Sequence, residues 1–158
     1  MKGIIKRMGL AILVIGMVGL AVTACNTGGG TAAGSKVTVS LSNAAAVNDH
    51  YLYAYLYAEN ETDVNNPAAL LATNSAQIAG GSACFVLKAD DGSWMPTATD
   101  WTGTEGLKYD VYIFTDSNGD ADPVPGSDKA TDPYPQTVTI NGDQTIEVDY
   151  TTMVDYPL

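Results

Sequence analysis

The chain has 158 residues, with 7 Lys+Arg against 18 Asp+Glu, a formal net charge of −11 and a pI of about 4.1. That balance excludes the basic footprint of nucleic-acid binding. A single His excludes a His-built metal site, two cysteines are too few for a disulfide framework, and 46% hydrophobic residues exclude a disordered acidic tail. The charge is also unevenly spread. The first 24 residues carry Lys2, Lys6 and Arg7 and no acid, while the rest sets four lysines against all 18 acids, a net −14.

In chain order, the positive start Met1–Arg7 leads into Gly9–Val22, an uninterrupted run of 14 apolar residues and glycines. A transmembrane helix needs roughly 20 residues, so this length fits the core of a signal peptide. The run ends in Val22-Thr23-Ala24-Cys25. Those residues resemble the lipobox of bacterial lipoprotein precursors, although Leu is commoner than Val at its first position. The resemblance implies removal of residues 1–24 and acylation of Cys25, with palmitate-type chains holding the protein to a membrane. Several acyl chains anchor stably where one does not. Asn26 stands where an Asp would imply inner-membrane retention in a Gram-negative cell, so the resemblance points to the outer membrane. On the residues alone, an ordinary secretory signal and an uncleaved anchor helix are the other readings. Residues 26–35, NTGGGTAAGS, carry no side chain able to pack a core and read as a flexible tether. The expected organisation is therefore 1–24 signal peptide, 25–35 lipidated Cys and tether, and 36–158 one folded domain.

From Lys36 onward the pattern is short alternation bounded by Gly, Asn, Asp and Pro, which predicts strands. Lys36–Ser42, Tyr51–Ala58, Ser75–Ala79, Ser82–Lys88, Leu107–Thr115, Gln136–Ile140 and Gln144–Tyr150 make seven candidates. Leu107, Tyr109, Val111 and Ile113 share one face of the fifth. The expected fold is all-β, an approximately seven-stranded antiparallel β-sandwich preceded by a signal helix and tether. Gly80-Gly81 predicts a hairpin. Asn141-Gly142 carries a similar signal, but a two-residue turn there would set Val138 and Ile140 on the face opposite Ile146 and Val148. Register is set by the apolar face, so either a three-residue connection including Asp143 or an arch between the two sheets is expected. Asn66-Pro67 predicts a short N-capped helical turn. The run Trp101-Thr102-Gly103-Thr104-Glu105-Gly106, the Tyr109–Phe114 strand and the acidic loop after it resemble the small immunoglobulin-like or transthyretin-like sandwich modules of bacterial surface lipoproteins. Such modules are mostly non-catalytic, and fold alone does not assign function.

Two constellations are candidate sites. Asp116, Asn118, Asp120 and Asp122 alternate in a 20-residue connection, Asp116–Pro135. Calcium takes six to eight oxygens, and such a loop offers several, with Asp128 and Asp132 nearby. The spacing departs from an EF-hand loop at Gly119, Ala121 and Ser127, and the same residue types also serve plain turns. Tyr51, Tyr53, Tyr55 and Tyr57 form one face of a strand whose other face, Leu52, Ala54, Leu56 and Ala58, reads as core. Facing outward they make a platform for a glycan or an envelope protein; facing inward they are packing. Trp94 and Trp101 flank a Met95–Asp100 loop and read as plugs. Asp90-Asp91-Gly92 reads as a turn. His50 has no G-x-S-x-G nucleophile to serve, and Cys84 reads as a small apolar side chain and the lone thiol. These features lead to the expectation of a non-catalytic, lipid-anchored envelope protein presenting a binding or scaffolding surface. The alternative is a calcium-dependent module recognising glycan or protein through Asp116–Asp122, and a hydrolase is the remote one.

Overall fold

The computed structural model describes residues 34–156, so the expected signal helix, Cys25 and most of the tether lie outside the described residues. Among the described residues no helix is long and apolar enough to cross a membrane. The chain forms an all-β sandwich. Its strands are β1 (Val37–Ser42), β2 (Tyr51–Ala58), β3 (Ala72–Gln77), β4 (Ala83–Val86), β5 (Lys88–Asp90), β6 (Pro96–Asp100), β7 (Lys108–Asp116), β8 (Lys129–Ala130), β9 (Gln136–Thr139), β10 (Gln144–Asp149) and β11 (Val154–Asp155). A small sheet has the order β10-β1-β4, and a large one the order β11-β8-β7-β2-β3-β5-β6, with β9 also paired to β7.

Alternation builds the core between the sheets. Val37, Val39 and Leu41 of β1 face inward, with Val39 level with Phe85 of β4 and Ile146 of β10. Across from them lie Leu52, Ala54 and Leu56 of β2 and Tyr109, Val111 and Ile113 of β7. Each fully buried aliphatic side chain here contributes about 1.5–3 kcal/mol through removal from water.

The structure departs from the expected layout in several places. Among the described residues the strands number eleven rather than about seven, and β1 pairs with β10 in parallel instead of antiparallel. The predicted Ser75–Ala79 strand starts earlier, at Ala72, and the predicted Ser82–Lys88 strand breaks at Leu87. Leu87 donates its N–H to Val37 of the small sheet and accepts from Trp101, so the chain turns a corner between sheets there. Met95–Asp100 is mostly strand β6, not loop, and Leu107 is 52% exposed rather than core-facing. Ser35, assigned to the tether, is buried and bridged to Gly103.

The Gly80-Gly81 turn closes tightly, with Ala79 and Ser82 exchanging both backbone hydrogen bonds and both glycines at positive φ. Yet β3 belongs to the large sheet and β4 to the small one, so the turn carries the chain across the sandwich and starts no ladder. Asn141-Gly142-Asp143 likewise joins β9 in the large sheet to β10 in the small one, the arch that the register argument allowed. Asn66 caps a single 3-10 turn, Pro67–Ala69, by accepting from the Ala68 N–H at 3.0 Å.

Candidate functional site: an aromatic groove on the large sheet

The inward Leu52, Ala54 and Leu56 turn Tyr51, Tyr53, Tyr55 and Tyr57 to the opposite face, away from the space between the sheets. On β7 the same alternation sends Tyr112 and Phe114 outward. Register then places Tyr53 opposite Phe114 and Tyr55 opposite Tyr112. Tyr53 stacks on Phe114 at 5.5 Å between centroids, and Tyr55 meets Phe114 at 5.6 Å.

Later segments extend this layer. β8 and β9 share one edge of β7, with Phe114 level with Ala130 and Val111 level with Gln136. More residues separate Ala130 from Gln136 than the matching stretch of β7 contains. Thr131 still donates to the Ile113 carbonyl at 3.1 Å, and the rest of the excess, through Pro135, leaves the sheet edge; its Asp132–Pro133 and Tyr134–Pro135 bonds are cis. It lays Tyr134 edge-on against Tyr112 at 5.0 Å and against Tyr156 at 5.5 Å.

Tyr57 and Tyr53 are each tied to a neighbouring segment and also line the hollows beside Tyr55. Tyr57 is 2% exposed and donates to the Val64 carbonyl at 2.9 Å. Tyr53 donates to the Gly119 carbonyl at 3.1 Å, and the Tyr51 ring packs where a Cβ on Gly119 would come within 2.7 Å of it. The centre is open. Tyr55 lines two adjoining hollows of about 460 and 340 Å³, both rimmed by Trp94, Met95, Asp120 and Ala121. These volumes fall within the size of small-molecule sites. Trp94 stands edge-on to Tyr55 at 5.9 Å, and Met95 is 65% exposed.

Burial pushes the Tyr55 phenol up to about 12, with Tyr53, Asp116, Tyr156 and Asp122 adding to the shift. Burial also raises Tyr57 and Tyr134. The layer therefore presents neutral phenols at neutral pH.

The acidic loop is held from within. Asp116 is fully buried; its Oδ1 accepts from the N–H groups of Asn118 and Gly119, and its Oδ2 accepts from Ala121 at 2.8 Å. Asp128, 1% exposed, accepts from Ser117 and Val124. The Asp120 carboxylate accepts from Asn118 and from the Asp122 N–H. Both Asp116 oxygens thus serve loop N–H donors, and among the described residues no group of three or more Asp, Glu, His or Cys gathers as a metal cage. The loop instead forms one wall of the groove: Asp116 fixes Ala121, which lines both hollows.

The two tryptophans separate. Trp101 packs edge-on to Tyr109 at 4.9 Å against the core, whereas Trp94 lines the groove. Asp90 accepts from the Gly92 N–H, making the expected turn between β5 and β6. His50 is half-buried at the head of β2, its Nδ1 enclosed and without a hydrogen-bond partner. Cys84 is half-buried on the outer side of β4, alternating with the inward Ala83 and Phe85, so it lies outside the core between the sheets.

Tyr112, Phe114, Tyr134 and Tyr156 were not singled out by sequence. The signal for the first two was present, because Tyr112 and Phe114 alternate with the inward Val111 and Ile113. Tyr134 and Tyr156 reach the layer only through tertiary structure. Comparison of the chain with protein-family models, curated proteins and solved structures found no match.

Proposed function

We propose that the protein is a lipid-anchored cell-envelope module that binds a small ligand in the groove around Tyr55 and catalyses no reaction on it. The observation that carries the binding half is a pair of open aromatic hollows on the outer face of the large sheet, both lined by Tyr55 and Trp94, with Tyr57 in one and Tyr53 in the other. Two residues on their rim, Trp94 (φ 64°) and Ala121 (φ 67°), hold left-handed backbone conformations that are uncommon for residues other than glycine. Strain of this kind persists where surrounding structure enforces it, and it clusters at ligand sites.

Binding is tested by titrating the full-length chain, in a polyoxyethylene detergent, with choline and separately with a neutral tetrasaccharide. Trp94 fluorescence is the readout. At least one probe is expected to give a saturable change that disappears in Trp94→Phe, since Trp101 is packed beside the core. Silence with both probes rules out the groove as a site for either class and removes the support for this reading.

The anchor half rests on Val22-Thr23-Ala24-Cys25 after the Gly9–Val22 run. Cells fed an alkyne-tagged palmitate are expected to label the wild-type chain and not Cys25→Ser, which moves out of the membrane fraction. Acylation occupies the Cys25 sulfur, so the intact mass of the purified protein is equally decisive. A chain without acyl groups and with an internal disulfide contradicts the anchor.

A further inference from the structure

The groove is unusual in its charge. Its walls include Asp120 and Asp122, and among the described residues no Lys, Arg or His lines either hollow. Asp122 donates its backbone N–H to Asp120, while its own carboxylate takes no part in the hydrogen bonds that hold the loop. More carboxylates surround the aromatic layer. Asp116 and Asp122 act on Tyr55, Asp90 and Glu61 on Tyr57, and Asp110 and Glu61 on Tyr112, each opposing loss of the phenol proton. The lysines of the described residues are engaged elsewhere: Lys36 and Lys88 with Asp100, Lys108 with Glu59 at 3.5 Å and Lys129 with Asp155 at 3.8 Å. Among the described residues, therefore, no cation pairs with the Asp120 and Asp122 carboxylates of the groove.

Ring geometry is the second observation. Tyr55 and Trp94 meet at 77°, Tyr112 and Tyr134 at 85°, and Tyr134 and Tyr156 at 70°. Rings at such steep angles wall a space on several sides instead of paving a flat platform. A sugar ring stacks on a flat face. An organic cation instead gains from several ring faces at once, because each presents its negative quadrupole, and alkyl groups on the cation fill the apolar volume.

We infer that the groove around Tyr55 takes a small alkylated ammonium ion, seated among Tyr55, Trp94, Tyr112 and Tyr134 with its charge toward Asp120 and Asp122. This rests on the groove being a binding site and names its ligand class. The ligand is a free small molecule and not a membrane headgroup. In phosphatidylcholine a phosphate accompanies each ammonium, and Asp120 and Asp122 repel it.

The test compares choline with 3,3-dimethylbutanol, its uncharged isostere of nearly equal shape, by calorimetry and Trp94 fluorescence on the full-length chain. Choline is expected to bind at least about tenfold more tightly than the isostere, consistent with the strength of partly desolvated cation–π contacts. Asp122→Asn is expected to weaken choline several-fold and leave the isostere unchanged, and added salt is expected to act in the same direction. Phosphatidylcholine vesicles are expected to compete less well than free choline. Equal affinity for choline and the isostere, or tighter binding to vesicles, overturns the inference. So does saturable binding of the tetrasaccharide without binding of choline, an outcome that leaves the groove standing as a site. A Trp94→Phe chain that retains choline affinity places the cation elsewhere and also overturns it.

Discussion

Asp116→Ala is expected to destabilise the protein by about 3 kcal/mol in urea or thermal unfolding, and to abolish ligand binding in the groove. The carboxylate is fully buried and accepts three backbone N–H bonds, from Asn118, Gly119 and Ala121. Removing the acceptor leaves several donors unsatisfied at about 1–3 kcal/mol each, less where the loosened loop admits water. Asp116→Asn is expected to fall between the two, because an amide offers one acceptor oxygen where the carboxylate offers two. The binding loss follows from Ala121, whose position on the rim depends on Oδ2. Calcium is the control. Both Asp116 oxygens already serve N–H groups, so millimolar calcium is expected to leave the unfolding midpoint of the wild type unchanged. A calcium-dependent rise that vanishes in Asp116→Ala would instead establish the cation role that the Asp-Asn-Asp-Asp spacing suggested.

Phe114→Ala is expected to cost about 3–5 kcal/mol, the usual penalty for emptying a buried aromatic site. Phe114 is 1% exposed, yet it lies outside the inter-sheet core and is enclosed by Tyr53, Tyr55 and Tyr156. The large sheet therefore has a packed layer on each face. Trp94→Ala provides the contrast: half-buried at the rim, it is expected to cost under about 1 kcal/mol while removing ligand response. If Phe114→Ala proves nearly neutral, the outer layer is a loose surface cluster and cannot hold the groove rigid. If Trp94→Ala unfolds the protein, Trp94 is packing and not a binding residue.

The parts of this architecture that were legible in the sequence are those governed by local alternation. Tyr51–Ala58 is a strand over those residues, and its two compositions, tyrosine and aliphatic, separate onto the two faces as expected. The conflict between the Asn141-Gly142 turn signal and the register of Ile140 and Ile146 was also readable, because a misplaced apolar face costs more than a preferred turn contributes. Sheet membership was not readable. Gly80-Gly81 turns tightly in either case, and the separation shows only in the assembled sheets, where β4 pairs with β1 while β3 lies between β2 and β5. Short strands such as β8 and β11 carry too few residues for a periodic signal. The candidate site was half legible. Its central strand and its acidic loop were evident separately, but their meeting depends on the Tyr53–Gly119 hydrogen bond and on Asp116 pairing across from Tyr51. The alternating acids offered a cation site as one reading of the loop beside a plain turn; in the structure two of the loop region's carboxylates, Asp116 and Asp128, accept from backbone donors.

The parallel pairing of β1 with β10 has a consequence for biogenesis. β1 is the middle strand of the small sheet, and its register partner for Val37 is Gln144. The first strand to be made thus waits for one of the last, and a long loop must close before that half of the core exists. A ribosome or translocon releasing the chain from its N-terminus would deliver β1 and β4 as an unsupported pair. The sandwich could then close only after residue 149 had emerged. Until then β2, β3 and β7 of the large sheet, all complete by residue 116, would leave their aliphatic faces without the small sheet that covers them.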